Sequence, residues 1–578
     1  MSKKEDKPII SFRDFSFKYR AQAQPSLIGI NLDIYRGEKI LIAGPSGSGK
    51  STLANCINGL IPCNYSGTIE GSVLIDGVET TKLSVFDISK IVGTVLQDTD
   101  GQFVGLSAGE DIAFSLENNC IAKEDMLPRV QKAADMTGIG DALEASPYDL
   151  SGGQKQRASM SGLLVDKVQV LLFDEPLANL DPATGKSAIA LIEKLKKETE
   201  ATVIIIEHRL EDVLYRPVDR VIVMQDGKIL ADMLSTELLC SDLLVKTGLR
   251  EPLYITSLKY AGVEISAKHK PASVETLRLE VGEIAAVRNW YKNIKQETLE
   301  ADVPVLLEVN SLDFTYTTRN EPALFNISFN IYEREMTAIV GTNGAGKSTL
   351  AKLICGFIEP DRGHIKLSGN DITKQSIAAR AKHIGYVMQN PNQMICKPGI
   401  YDEVALGLRN QGLAEDIVKE RVDDSLKTCG LWPFRNWPVS ALSYGQKKRV
   451  TIASVLVLKP KIIILDEPTA GQDYRHYTEI MKFLCQLRAQ GVTVLLITHD
   501  MHLMLEYAPR ALVFSQGRLI ADMSSAALLS DPSLSAKASL KETSLFYLAN
   551  ACGINDAATF TKRFVEYEKE GMHLNVSN

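Results

Sequence analysis

Residues 44–52 read GPSGSGKST and residues 341–349 read GTNGAGKST, each between a short apolar run (40–43; 338–340) and a second apolar segment (53–60; 350–357). A strand that enters glycines and leaves as a helix turns successive backbone N–H groups inward, where they wrap phosphate oxygens, and the helix N-terminus adds its dipole. The first cradle comprises Gly44, Pro45, Ser46, Gly47, Ser48, Gly49, Lys50, Ser51 and Thr52; the second comprises Gly341, Thr342, Asn343, Gly344, Ala345, Gly346, Lys347, Ser348 and Thr349. Lys50 and Lys347 supply a point charge for the β- and γ-phosphates, and Ser51 and Ser348 a hydroxyl for Mg2+. The minimal pattern arises by chance in a chain of this length about a few per cent of the time, but not twice in matched strand-to-helix settings.

The rest of the kit is duplicated at nearly constant offset: Gln97 and Gln389 by 292, Ser151 and Ser443 by 292, Glu175 and Glu467 by 292, His208 and His499 by 291. A chain of 578 residues therefore holds two large α/β domains. The bounds read from the sequence are 1–265 for the first domain, 266–303 for a polar, mixed-charge linker with a short helix over 274–279, 304–530 for the second domain, and 531–578 for a helical tail. The repeats diverge past Asp522, and the tail shows apolar residues at helical spacing (Leu540, Leu545, Leu548, Ala549, Phe560, Phe564, Tyr567).

Residues 170–173 and 462–465 are continuous apolar runs, as buried parallel strands are. Each ends in Asp then Glu. Asp174 and Asp466 are placed to reach Mg2+, and Glu175 and Glu467, one residue further on, to orient and deprotonate water. His208 and His499 follow apolar strands and suit a γ-phosphate contact, although a lone histidine at a strand end is often structural. Gln97 and Gln389 also end apolar strands and put an amide near metal and water. Tyr19 and Tyr316 recur at the cradle's offset of 297 and suit a ring on adenine, with a core tyrosine as the alternative.

Composition narrows the class. A net charge of -7 lacks the basic excess of a nucleic-acid binder. No apolar run reaches membrane-spanning length, and MSKKEDKPII has no apolar core of an export signal. Nine cysteines without ligand spacing read as reduced thiols.

The stretch LSGGQKQR at 150–157, between Gln97 and the Asp–Glu strand, resembles the signature of ATP-binding-cassette (ABC) ATPases, over roughly residues 9–265 and 304–522. The resemblance implies two tandem P-loop NTPase domains, each with a RecA-like core and a small helical subdomain, plus the helical tail, with ATP and Mg2+ as cofactors. In that family two cassettes associate head to tail. The resemblance therefore pairs Lys50, Gln97, Asp174, Glu175 and His208 with Ser443, Gly445 and Gln446. It likewise pairs Lys347, Gln389, Asp466, Glu467 and His499 with Ser151, Gly152, Gly153 and Gln154. The metal set is Ser51, Gln97 and Asp174 in one copy and Ser348, Gln389 and Asp466 in the other. The second signature, LSYGQ, departs at Tyr444, a change expected to tune the first site rather than abolish it.

Only 54 residues separate each glutamine from its signature serine, leaving a compact helical subdomain. The segments following Gln97 and Gln389, with LSYGQKKR and the tail, are similar to ATPases of energy-coupling-factor (ECF) importers. That similarity implies a peripheral ATPase on the cytoplasmic face of the membrane, working with a transmembrane scaffold and a substrate-capturing membrane protein to import a vitamin, metal ion or other micronutrient. A fused sugar-importer ATPase and a soluble tandem translation factor are the alternatives. Coupling is expected through Gln102 and Phe103, matched to Gln393 and Met394, and through Glu110, Asp111, Asp402 and Glu403. These carboxylates also suit helix N-termini for the dipole alone.

Overall fold

The computed structural model describes residues 7–20, 22–96, 100–166, 168–178, 180–292, 303–317, 321–469 and 474–576. The chain divides into two compact units, with the division between Val287 and Arg288 apart from a few residues near 473–475. Each unit repeats one architecture.

In the first unit a six-stranded sheet runs in the order Lys228–Met233, Arg220–Gln225, Lys39–Ala43, Thr202–Ile206, Val170–Asp174, Val92–Val95, parallel except for the first pair. Its central strands, KILIA, TVIII and VLLFD, are buried throughout, which accounts for their unbroken apolar runs. A four-stranded antiparallel sheet led by Leu27–Ile34 and Ile10–Tyr19 shares one core with it. A separate small core joins the helices Ala108–Asn118, Lys123–Thr137 and Gly152–Leu164. The second unit has the same two sheets and its own helical core, on Ile400–Asn410, Glu415–Thr428 and Tyr444–Leu456.

Two expectations fail. Residues 274–276 form a turn and 277–279 are irregular, and the helix of that region is Val281–Lys292. The Thr276 hydroxyl donates to the Lys270 and Ser273 carbonyls, and Arg278 N–H to the His269 carbonyl. Such local bonds compete with a helical ladder. Buried His269 then meets Glu283 at 2.9 Å, which fixes where the helix starts. Nor do the repeats diverge as early as Asp522. The helices Leu253–Tyr260 and Ser544–Ala551 match, and each is followed by a left-handed glycine, Gly262 (φ 77°) and Gly553 (φ 65°), 291 residues apart.

The tail is built into the second unit. Phe560 and Phe564 of the helix Ala557–Val576 are fully buried, Trp290 packs edge-on against Phe560, and Arg563 donates to the Tyr291 carbonyl.

Candidate functional site

Each glycine-rich loop connects a central strand to a helix that opens at its lysine, Lys50–Ile57 in the first unit and Lys347–Cys355 in the second. The lysines are buried within their own loops. Lys50 Nζ donates to the Gly44 and Pro45 carbonyls at 2.8 and 2.9 Å, and Lys347 Nζ to the Gly341 and Thr342 carbonyls at 2.8 Å. The glycines are forced by close approach. A Cβ on Gly44 would lie 2.4 Å from the Met224 carbonyl oxygen, and one on Gly341, at φ 141°, 1.8 Å from that of Phe514. Gly47 and Gly344 instead face open space with φ of 77°, a conformation glycine adopts freely.

The residues expected to hold metal and activate water converge on the same loops. Ser348 Oγ donates to Asp466 Oδ2 at 3.1 Å, Tyr386 OH joins the same oxygen at 2.9 Å, and Ser51 bonds Asp174 in the first unit. Burial pushes the Asp174 carboxyl above its usual value, against the pull of Ser51 and Lys50. Its Oδ1 is buried with no hydrogen-bond partner among the described residues. A hydroxyl, a carboxylate and open phosphate positions form the sparse, hard-oxygen set that suits Mg2+, so the residues present fit that ion.

Glu175 and Glu467 leave their strands in the left-handed region, φ 49° and 46°, with each N–H bonded to the neighbouring strand at Ile206 and Ile497. A non-glycine residue there costs of order 1–3 kcal/mol, and its recurrence in both copies marks a geometry the site requires. Burial, then Glu207 and Asp174, push the Glu175 carboxyl up to about 7; burial, then Asp466, push Glu467 up to about 8. His208 Nδ1 lies 4.0 Å from Glu175 Oε1, and His499 Nε2 lies 3.5 Å from Glu467 Oε1. Burial, helped by Lys347, lowers His499 to about 3, so that imidazole is neutral.

Tyr19 and Tyr316 stand beside their loops, with hydroxyls 3.3 and 3.1 Å from Thr52 and Thr349 and rings edge-on to Phe17 and Phe314. Gln97 lies outside the described residues; Gln389 is exposed. Ser151 and Ser443 cap their signature helices in reciprocal boxes with Gln154 and Gln446, whose side chains turn back to the serine N–H at 2.9 Å. Gly153 packs on Thr184, where a Cβ would come within 2.6 Å. The Tyr444 hydroxyl reaches the Gln389 carbonyl of its own unit at 3.2 Å.

These two kits sit where matches to known proteins also fall. The model of the ABC transporter family matches residues 27–178 and 324–470, and that of the ATP-binding cassette cobalt transporters matches 241–314. A Clostridium perfringens protein named as an ABC transporter ATP-binding protein is 55% identical over 98% of this chain and 99% of its own length. The chain belongs to the ABC transporter ATPases. An Enterococcus faecalis relative of the same name is 53% identical over 98% of this chain and 99% of its own. A solved structure, cbiO1 from Clostridium perfringens, described as part of the ABC transporter complex cbiONQ, is 37% identical, covers 39% of this chain and 91% of its own, and superposes with a TM-score of 0.37. The chain's activity is accordingly ATP hydrolysis, from two cassettes in one polypeptide. Among the described residues no helix is long and apolar enough to cross a membrane.

The expected coupling residues need correction. Gln102 bonds the Leu96 N–H and Thr94 carbonyl, and Met394 Sδ accepts the Met388 N–H, so Gln102 corresponds to Met394, one residue off the expected register. Phe103 and Ile395 both pack on their helical cores. Of the four carboxylates, three accept backbone N–H groups of their own segment: Asp111 from Val104 and Gly105 and Glu403 from Cys396 and Lys397, at 2.7–2.8 Å, and Glu110 from Leu106 and Ser107, at 2.8 and 3.3 Å. Glu110 closes a capping box with Ser107, and Asp402 pairs with Arg409. Exposed apolar side chains, Val104 and Leu106, lie on this segment instead.

Three groups around the site carry no motif in the sequence: buried Glu207 and Lys448, and half-buried Tyr386. Lys448 Nζ donates to the Met388 and Gln389 carbonyls at 2.7 and 2.8 Å, and burial lowers it to about 8. Glu207 and Lys448 adjoin motifs and differ between the copies, where Thr498 and Gln156 stand, which is a signal readable from aligned repeats.

Proposed function

We propose that this ABC ATPase drives an importer of the ECF type, from the cytoplasmic face of the membrane, coupling ATP turnover to uptake of a micronutrient such as a vitamin or metal ion. Its partners in this reading are a transmembrane scaffold and a substrate-capturing membrane protein. The observation that carries the reading is the match of residues 241–314 to the ATP-binding cassette cobalt transporters, a region outside the general nucleotide-binding motifs.

In this reading the two loops hold ATP, with Lys50 and Lys347 against the β- and γ-phosphates and Tyr19 and Tyr316 beside the base. Ser51, Gln97 and Asp174, and Ser348, Gln389 and Asp466, would hold Mg2+, which when bound neutralises charge on the phosphate oxygens. Glu175 and Glu467 take the proton of the attacking water, and carboxyls raised to about 7 and about 8 are poised for that task near neutral pH. His208 and His499 contact the γ-phosphate. The signature of each cassette, Ser443, Gly445 and Gln446 or Ser151, Gly153 and Gln154, completes the site of the other. The membrane partner engages the segments after the glutamines, through exposed apolar side chains such as Val104 and Leu106.

Purification of the full chain from membranes in mild detergent tests the reading. Stoichiometric integral membrane proteins that stimulate its ATPase activity are expected. A chain that sediments with ribosomes and carries no membrane partner would refute it.

A further inference from the structure

The strands that lead to the two glutamines, Val92–Val95 and Ile384–Val387, pair in one parallel register with the strands that end in Asp174 and Asp466: Thr94 lies opposite Leu172, and Tyr386 opposite Ile464. Each of these positions therefore shares a sheet face with the carboxylate two residues further along the neighbouring strand, about 7 Å on. An aromatic side chain spans such a diagonal and a threonine is too short for it. The structure bears out that difference in reach. Tyr386 OH donates to Asp466 Oδ2 at 2.9 Å, whereas the Thr94 hydroxyl is buried with no hydrogen-bond partner among the described residues, as is Asp174 Oδ1.

The Tyr386 bond has a fixed direction and a fixed origin. Burial, then the Asp466 carboxylate, hold the phenol above its usual value, so the phenol keeps the proton and the carboxylate accepts it. The ring packs on the core of the second unit and stands edge-on to Phe357, with centroids 6.0 Å apart, so packing sets its orientation before the bond forms. Ser348 Oγ donates to the same Oδ2 at 3.1 Å. In the reading of Ser348 as a metal ligand that hydroxyl serves the ion, and Tyr386 is the donor that serves the carboxylate alone. A carboxylate already held in one rotamer gives up less freedom when it binds, and partners behind a metal-binding group set its aim.

We propose that Tyr386 is a positioning residue of the second ATP site: its hydroxyl fixes the rotamer of Asp466 for Mg2+, a hold that Thr94 does not give Asp174 in the first. The inference rests on the reading of Asp466 as a metal-site residue. It makes the two sites unequal behind the same carboxylate.

The test follows metal binding rather than turnover. Mn2+ stands in for Mg2+, and its free concentration is read by electron paramagnetic resonance beside a non-hydrolysable ATP analogue, in the full chain carrying Lys50→Ala, which disables the first loop so that the second site reports. Tyr386→Phe removes the hydroxyl and keeps the ring against Phe357. It should raise the Mn2+ concentration for half-saturation about tenfold or more, the scale of losing a partner behind a metal ligand, with analogue binding in EDTA within about twofold of the parent. In the mirror chain, carrying Lys347→Ala, Tyr386→Phe should leave the half-saturation where it is. A shift smaller than about twofold in the Lys50→Ala chain overturns the proposal. So does an equal shift in both chains, or a loss of analogue binding in EDTA as large as the loss with metal, because the hydroxyl then only supports the loop. Asp466→Asn separates the two claims: if it leaves Mn2+ binding intact, the metal role of Asp466 fails and the proposal with it, whereas a steep loss for Asp466→Asn beside intact binding in Tyr386→Phe overturns the proposal alone.

Discussion

Replacing the two proposed bases by glutamine should make the protein more stable and nearly inactive at once, with a stability gain that is absent below pH 4.5 and grows until pH passes 7 to 8. Glu175 and Glu467 are carboxyls whose charged forms the folded protein disfavours, chiefly through burial, which raises them from 4.5 to about 7 and about 8. Between those limits the folded state binds more protons than the unfolded chain, so their contribution to stability is fully present below pH 4.5 and is lost as pH rises through 7 to 8. At 1.36 kcal/mol per tenfold change in proton affinity, the loss reaches at most about 3 kcal/mol for Glu175 and about 5 kcal/mol for Glu467. Glutamine keeps the shape and never ionises. In units of this size each kcal/mol moves the melting temperature about 2–4 °C. Glu175→Gln and Glu467→Gln should therefore melt several degrees above the parent at pH 8.5, without nucleotide or Mg2+, and within about 2 °C of it at pH 5. The neutral His499 titrates alike in both chains and cancels from the comparison. Hydrolysis in the double variant should fall about 10²-fold or more, while ATP binding persists because it rests on the loops. An unchanged or lowered melting temperature at pH 8.5, or the same gain at both pH values, would show that these carboxylates are not desolvated. Residual hydrolysis above about a tenth of the parent would remove the general-base role.

Tyr444→Gly should alter single-turnover hydrolysis measured in the Glu467→Gln chain and leave the Glu175→Gln chain nearly unchanged; equal effects in both would count against pairing Lys50 with Ser443. Because the Tyr444 hydroxyl also holds the Gln389 carbonyl of its own unit, Tyr444→Phe isolates that bond from the bulk of the ring. Glu110→Ala with Asp402→Ala, which spares Asp111 and Glu403, should weaken retention of the membrane partner while the isolated chain still hydrolyses ATP; full retention would leave Glu110 its capping box and Asp402 its pair with Arg409.

The parts legible in the sequence are those whose chemistry is local. A phosphate cradle needs glycine where a Cβ would strike the Phe514 or Met224 carbonyl, and a buried parallel strand needs an unbroken apolar run, so Gly341, Gly44 and residues 462–465 carry their meaning in a few letters. The continued repeat past Asp522 was hidden because Leu253–Tyr260 and Ser544–Ala551 share an apolar face and a terminal left-handed glycine but few identities. The coupling segment was misregistered for a related reason: a glutamine amide in one copy and a methionine sulfur in the other bond the same strand end, and chemistry so different does not align by letter. Residues 274–279 were misread because side-chain-to-backbone bonds, invisible to periodicity, outcompete a helix there.

The copies share the lysine, serine, glutamine, aspartate, glutamate and histidine that would touch phosphate, metal or water, yet differ at buried and half-buried polar positions next to those groups. Lys448, where the first copy has Gln156, is satisfied by the Met388 and Gln389 carbonyls, while Gln156 reaches the Pro176 carbonyl. Tyr386 bonds Asp466 where Thr94 stands in the first copy, and Glu207 with Arg209 faces Thr498 with Asp500. Each such group is costly to bury unless its own partners are in place, so these positions resist exchange one at a time. Lys448 without its two carbonyls would be a buried cation stripped of the acceptors that make it tolerable. Differences of this kind move protons, ring orientations and loop anchors without removing a catalytic atom. They fit two ATP sites that run the same chemistry with separately set environments better than one working site beside a decayed one, because decay would fall first on the strained Glu467 or the crowded Gly341, and both retain the geometry of their counterparts.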